Sequence, residues 1–284
     1  MNAIEMIGVN KSFGDFSIRN LSFCVPEGCI CGLVGENGAG KSTVIRMLMG
    51  ALRADSGEIR TLDTDVRSAD FCRMKQDIGV VLDDAWLPEV LSAIQVGVIM
   101  RRTYTRWDES LYERYLSRFS LPKDKAMKDY SRGMRMKLAI AVALSHHPRL
   151  LVLDEATAGL DPVVRDEVLE LFYEFTREED HSILISSHIL SDLEKLCDYI
   201  AFLHEGRLLF CEEKDALLED YGIFAGTAAE ADALDPAAVI HREGSGMGGV
   251  RALVRRGLVS PGIPLEKPTV EDVILNMVKG ETRK

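Results

Sequence analysis

Gly35, Gly40, Lys41 and Ser42 stand in the stretch GENGAGKST at the spacing G-x-x-x-x-G-K-[ST]. That spacing suits a phosphate. The glycines let the loop curl so that successive N–H groups point inward, the lysine ammonium reaches the β- and γ-phosphates, and the Ser42 hydroxyl offers an oxygen to Mg²⁺. Asn37, Gly38, Ala39 and Thr43 complete the wrap and join the candidate nucleotide site. A chance Gly-rich turn could carry the same letters. Here the apolar CICGLV (29–34) precedes the loop and STVIRMLMGAL (42–52) follows it, which gives the strand and helix the motif needs.

A second candidate group closes another apolar run. RLLVLDEAT (149–157) ends in two acids. Asp154, directly after the run, is placed to orient Mg²⁺ through water. Glu155 points differently and suits a general base, or an orienter, for an attacking water. Two acids at a strand end are also a common solvated feature; a phosphate loop upstream in the same sheet favours the chemical reading. A third stretch, DYSRGMRMK (129–137), opens a helix on Ser131, Arg132 and Gly133 just before the apolar LAIAVALS. Read alone, Ser131 is an ordinary N-cap. The same residues would also leave bare amides facing an anion.

The elements that must hold these groups follow from the pattern. Strands are expected at 29–34, 78–82, 149–153 and 182–186, with a hairpin over 199–211 turning at Glu205–Gly206. Between the third and fourth strands, DPVVRDEVLELFYEF reads as a helix capped by Asp161 with Pro162 at its first position. From 87 to 147 the pattern is helical, with Leu111, Tyr115 and Phe119 at four-residue spacing. Strand–helix alternation before 85 and after 148 predicts an α/β core with a mostly parallel sheet, a helical subdomain inserted at about 85–148, and antiparallel strands at the N-terminus. Beyond 215 the composition shifts to Ala-, Asp- and then Pro-rich segments, so residues 216–284 are expected to form a small α+β C-terminal module. GSGMGG (244–249) fits G-x-G-x-x-G, but it lies between two strand-like segments with no adequate helix after it, so a hairpin turn is expected. The basic RALVRR (251–256) reads as a solvated face of that hairpin.

Bulk properties narrow the class. The chain has 284 residues, 46% hydrophobic and 28% charged, with a net charge of −11. That is an ordinary soluble globular composition. The acidic balance argues against non-specific nucleic-acid binding, which needs a basic surface. Six cysteines at 24, 29, 31, 72, 197 and 211 form no C-x-x-C pair, and they read as reduced thiols of a cytosolic interior. Cys29 and Cys31 would share a strand face. MNAIEMIGVNKSFG lacks the features of a secretory leader. The longest weakly polar segment, LPEVLSAIQVGVIM (87–100), is shorter than the ~20 residues a membrane span needs, so any spans must come from another chain.

The succession GENGAGKST, YSRGM, LLVLDE, GLDP, SSH resembles the nucleotide-binding subunit of ATP-binding cassette (ABC) transporters over residues 1–215. The resemblance implies a P-loop NTPase that hydrolyses ATP with Mg²⁺. It identifies YSRGM with the family signature L-S-G-G-Q, matching Ser131 and Gly133 and departing at Tyr130, Arg132 and Met134. It implies that this helix faces the phosphate loop of a second copy, or of a homologous ABC subunit, so that two ATP molecules lie between head-to-tail cassettes. His188 matches the switch histidine that senses the γ-phosphate. Asp161 matches a residue of communication across the dimer, and Phe13 the aromatic that stacks on adenine. Asp83 stands where the family has a glutamine that touches Mg²⁺ and the water; a carboxylate can approach hydrated Mg²⁺ but cannot donate as an amide does. The segment after Asp83, with the helical insertion, is expected to receive a cytoplasmic helix of a separately encoded permease. The whole implies a peripheral subunit on the inner face of the cell membrane, powering export. The competing class is a soluble cassette ATPase acting on ribosomes, nucleic acid or protein assemblies. Such relatives carry two cassettes or a long coiled-coil insertion, and this chain shows neither.

Overall fold

The structure is a computed structural model and describes residues 1–82, 87–244 and 249–281. The chain opens with a hairpin of β1 (Asn2–Phe13) and β2 (Phe16–Pro26), then enters β3 (Ile30–Val34) and α1 (Lys41–Leu48). β4 (Ser56–Thr61), β5 (Thr64–Asp65), α2 (Phe71–Met74) and β6 (Ile78–Val81) follow. The helical insertion holds α3 (Ala93–Thr103), α4 (Glu109–Arg118) and α5 (Arg132–Leu144). The core resumes with β7 (Leu150–Asp154), α6 (Pro162–Phe175), β8 (Ser182–Ser187), α7 (Leu190–Leu196), β9 (Tyr199–His204) and β10 (Arg207–Glu213). The last segment comprises α8 (Lys214–Asp220), β11 (Tyr221–Thr227), α9 (Ala228–Asp232), β12 (Val239–Gly244), β13 (Gly249–Arg255) and α10 (Val270–Glu281).

Among the described residues the central sheet has six strands in the order β10-β9-β3-β8-β7-β6. Its neighbours pair in parallel except β10 with β9, which form the expected hairpin. β3, β7 and β8 are buried along their whole length, as parallel strands covered on both faces must be. Alternate residues feed two cores. Leu150 and Val152 point to the side shared with α1 and with the antiparallel sheet β2-β1-β4-β5, while Leu151 and Leu153 point to the side shared with α5 and α6. A three-stranded antiparallel sheet, β11-β13-β12, carries a small core of its own around Phe224, Leu234 and Val254.

Topology brings the chemistry-bearing loops together. β8 lies between β3 and β7, with Val34 opposite Ser187 and Asp154 opposite Ser186. The phosphate loop, the two acids and the histidine segment therefore leave the same edge of the sheet from adjacent strands, the usual place for a ligand in an open α/β sheet.

Four sequence expectations shift in detail. α1 ends at Leu48 and its helix does not reach 52. On α4 the fully buried positions are Tyr112 and Leu116, one residue out of phase with Leu111 and Tyr115; Phe119, just after the helix, is buried as expected. In RALVRR the arginines are exposed but Ala252, Leu253 and Val254 are buried. Cys29 falls outside β3 while Cys31 is buried within it. Asp83, the start of the segment after it, and the middle of GSGMGG (245–248) lie outside the described residues; β12 and β13 pair as an antiparallel hairpin on either side of the latter.

Candidate functional site

Gly40 caps α1 at φ 110°, in the left-handed region that favours glycine, and no side chain caps the helix. A Cβ there would come within 2.5 Å of Ile18 Cδ1, so hairpin β1–β2 presses on the loop and fixes its path. The first N–H groups of α1 are thus left to the loop's open side, the arrangement that binds phosphate. Lys41 is buried at the base. Its Nζ donates to the carbonyls of Gly35 (2.7 Å) and Glu36 (3.3 Å) and stands 3.5 Å from Glu155 Oε1.

Glu155 follows β7 at φ 52°, a strained turn for a non-glycine residue, and its other oxygen meets His188 Nδ1 at 2.7 Å. A carboxylate only accepts, so that ring nitrogen carries the proton. Ser186 ties the pair of acids together. Its hydroxyl donates to Asp154 Oδ1, and its Oγ also accepts the amide of Glu155 at 3.2 Å. Asp154 is buried and Glu155 half-buried.

A cavity of about 610 Å³ gathers Gly38, Gly40, Lys41, Ser42, Asp154 and Glu155, with Asn37 and Thr43 also on its wall. An adjoining cavity of about 720 Å³ shares Asn37 and Gly38 and adds Ala39. A hydroxyl and a carboxylate on one wall are hard oxygen donors of the kind Mg²⁺ takes. A lysine, free helix amides and a positioned carboxylate beside them are what a triphosphate and its attacking water require.

Among the described residues, six expected site residues do not line these two cavities: Gly35 and His188, which reach them through Lys41 and Glu155, and Ser131, Gly133, Asp161 and Phe13, which stand apart. Ser131 caps α5 through its Oγ, which accepts Met134 N at 3.2 Å, and is itself exposed. Asp161 caps α6 by accepting Val164 N at 3.1 Å. Phe13 is exposed at the end of β1 with Lys11 Nζ 5.3 Å from its ring centroid. Its partner across the turn, Phe16, lines both cavities. Sequence reasoning missed Phe16 and Ser186. The alternation Phe16, Ile18 in the second strand of the hairpin was the available signal for the first.

A profile of the ABC transporter family matches residues 18–158. The chain is 32% identical to the ABC transporter ATP-binding protein YtrB of Bacillus subtilis, over 77% of this chain and 74% of that one. It is 37% identical to the Nod factor export ATP-binding protein I of a Bradyrhizobium strain, over 77% of this chain and 73% of that one. A solved structure described as the ATP binding subunit of an ABC transporter is 26% identical, covers 76% of this chain and 91% of its own, and superposes with a TM-score of 0.69.

Proposed function

The chain belongs to the ATP-binding subunits of ABC transporters, and on that premise we propose that it is the motor of an exporter, binding MgATP between two head-to-tail copies. The observation that carries the two-copy reading is Gly133. A Cβ there would meet nothing nearer than Leu160 Cδ2 at 3.7 Å, an ordinary contact. Packing inside the protomer therefore does not demand glycine at 133, whereas a phosphate that must approach the backbone from outside does. Ser131 stands exposed beside it, away from the cavity of Lys41 and Asp154. One chain thus carries two half-sites, and a second copy completes each.

In this reading Lys41 moves its ammonium from Glu155 and the loop carbonyls to the β- and γ-phosphate oxygens. The exchange frees Glu155 Oε1 to accept the proton of the attacking water, while His188 holds Oε2 and fixes the carboxylate's direction. Ser42 and Asp154 would hold Mg²⁺, which would supply the charge neutralisation that phosphoryl transfer needs, and the family resemblance assigns Asp83 to the same metal. Ser131 and Gly133 of one copy donate to the γ-phosphate on the other, and Asp161 sets the helix that lies next to them. Phe13 and Phe16 offer the aromatic faces for adenine.

Closure of the dimer is passed to a permease. Ile94 and Val98, one turn apart on α3, and Val90 just before it are exposed apolar residues of the insertion, a stripe that suits a cytoplasmic helix of a membrane partner. Among the described residues no helix is long and apolar enough to cross a membrane, which fits a peripheral subunit on the inner face of the cell membrane. The export direction follows the Nod factor export relative.

The composite site is tested by mixing two inactive variants. Lys41→Ala destroys the phosphate-loop half and Ser131→Ala the helix half, so each alone should hydrolyse ATP poorly. A mixed dimer keeps one site in which both halves are intact. Turnover should return on mixing; two variants that stay inactive together, while each still binds the other, would count against the sandwich.

A further inference from the structure

Arg132 is the first residue of α5 and sits between the two residues that the half-site uses, Ser131 and Gly133. The first turn of α5 holds no acid, so a cation there lies unfavourably against the positive end of the helix. Its side chain reaches back to Gly159. Gly159 has φ 69°, and a Cβ built on it would lie 2.7 Å from Arg132 Nη1, 3.1 Å from Cζ and 3.4 Å from Nε. All three distances are short together, so the guanidinium lies close over the glycine and occupies the space a side chain would need. The missing side chain leaves room for this contact, and the left-handed backbone favours glycine there in its own right.

The segment under the guanidinium leads straight from the catalytic cavity. Glu155 begins it, and the amide of Ala158 donates back to the Glu155 carbonyl at 3.0 Å. Gly159 and Leu160 continue it, and Asp161 ends it as the cap of α6. Gly133 leans on the same segment, with Leu160 Cδ2 3.7 Å and Val164 Cγ1 3.9 Å from its would-be Cβ. The first turn of α5 and the turn leaving Glu155 are therefore held as one body, and Arg132 is the side chain that spans them.

We propose that Arg132 is a positioning residue for ATP hydrolysis: its guanidinium fastens the Glu155–Asp161 turn to the first turn of α5, so that phosphate bound at one site sets the carboxylate of the other. The proposal rests on the two-copy reading, in which α5 serves the partner's nucleotide and Glu155 its own. A planar guanidinium can lie over a glycine; a lysine ammonium cannot reproduce that contact, although it keeps the charge.

The test is steady-state ATPase of the full chain with Arg132→Ala and Arg132→Lys, together with MgATP-driven dimerisation of Glu155→Gln with and without Arg132→Ala. The expected result is a fall in kcat of about tenfold or more with the KM for ATP changed less than about threefold, a loss of cooperativity in ATP, and no rescue by lysine. In the Glu155→Gln background, dimerisation should persist when Arg132 is replaced, because the donors of Ser131 and Gly133 remain. A kcat within about twofold of the parent for Arg132→Ala, or full rescue by lysine, would overturn the assignment. A Glu155→Gln chain that stays monomeric with MgATP would remove the two-copy reading and the Arg132 assignment together. Dimerisation of Glu155→Gln alongside a fully active Arg132→Ala would remove only the second.

Discussion

Ser186 places one hydroxyl between the two acids at the end of β7. It donates to Asp154 and accepts from the amide of Glu155, so it fixes the direction of one carboxylate relative to the other. Ser186→Ala should leave a buried Asp154 oxygen without its donor, at a cost of about 1–3 kcal/mol in stability. It should also lower kcat more than it changes the KM for ATP, because Lys41 and the loop amides are untouched. A thermal melt and steady-state ATPase read the two effects separately; unchanged kcat in a folded Ser186→Ala would show that the hydroxyl does not orient the acids. The sequence made Lys41, Ser42, Asp154 and Glu155 legible because their requirement is local, a glycine loop after a strand and acids at a strand end. It left Ser186 obscure because its role depends on β8 lying between β3 and β7, a pairing of segments far apart in the chain. Phe16 was obscure for a related reason. Which face of the hairpin meets the phosphate loop is set by the press of Ile18 and Phe16 on Gly40, which spacing does not state.

At the scale of elements, the insertion is joined to the core where α5 ends. His146 is buried there, stacked on Tyr104 with ring centroids 3.9 Å apart, and its Nδ1 donates to the Gln76 carbonyl at 3.1 Å. Its Nε2 has no hydrogen-bond partner among the described residues. Arg106 braces the same joint by donating to Asp77 and to the carbonyls of Gln76 and His147. Burial pushes the His146 imidazole down to about 4, opposed by the Gln76 hydrogen bond and reinforced by the positive charge of Arg106. An imidazole in the unfolded chain titrates near 6.5. Between those values the unfolded state binds more protons, so the contribution is complete above about pH 6.5 and is lost as pH falls toward about 4, amounting to about 3 kcal/mol at most. His146→Phe keeps the stack and removes the titration. Urea unfolding at about pH 5 and about pH 7 should show a smaller stability difference for this variant than for the parent; an equal difference would place the pH dependence elsewhere. The out-of-phase stripe on α4 has its origin at the neighbouring element too. Tyr112 and Leu116 offer the same four-residue spacing as Leu111 and Tyr115, and Tyr112 is chosen because its hydroxyl can donate to the Ala93 carbonyl of α3 at 2.9 Å. Periodicity fixes a helix, but its neighbour fixes the phase.

For the whole molecule, the proposed arrangement is two incomplete sites on one chain. The cavity of Lys41, Asp154 and Glu155 takes its residues from adjacent strands of the central sheet, while Ser131 and Gly133 open a helix of the insertion. Arg132 and the turn from Glu155 to Asp161 bridge the two within a protomer. The succession of motifs is what suggests that arrangement in the sequence; the contact of Arg132 with Gly159 was hidden because Arg132 reads there only as a departure from the family signature. The central claim is that nucleotide joins two copies. It is met most directly by light scattering of Glu155→Gln, which should bind MgATP but not discharge it. With MgATP the particle should weigh twice the monomer, and it should return to the monomer when Ser131→Ala is added. A Glu155→Gln chain that binds MgATP and keeps the monomer's mass would contradict the account.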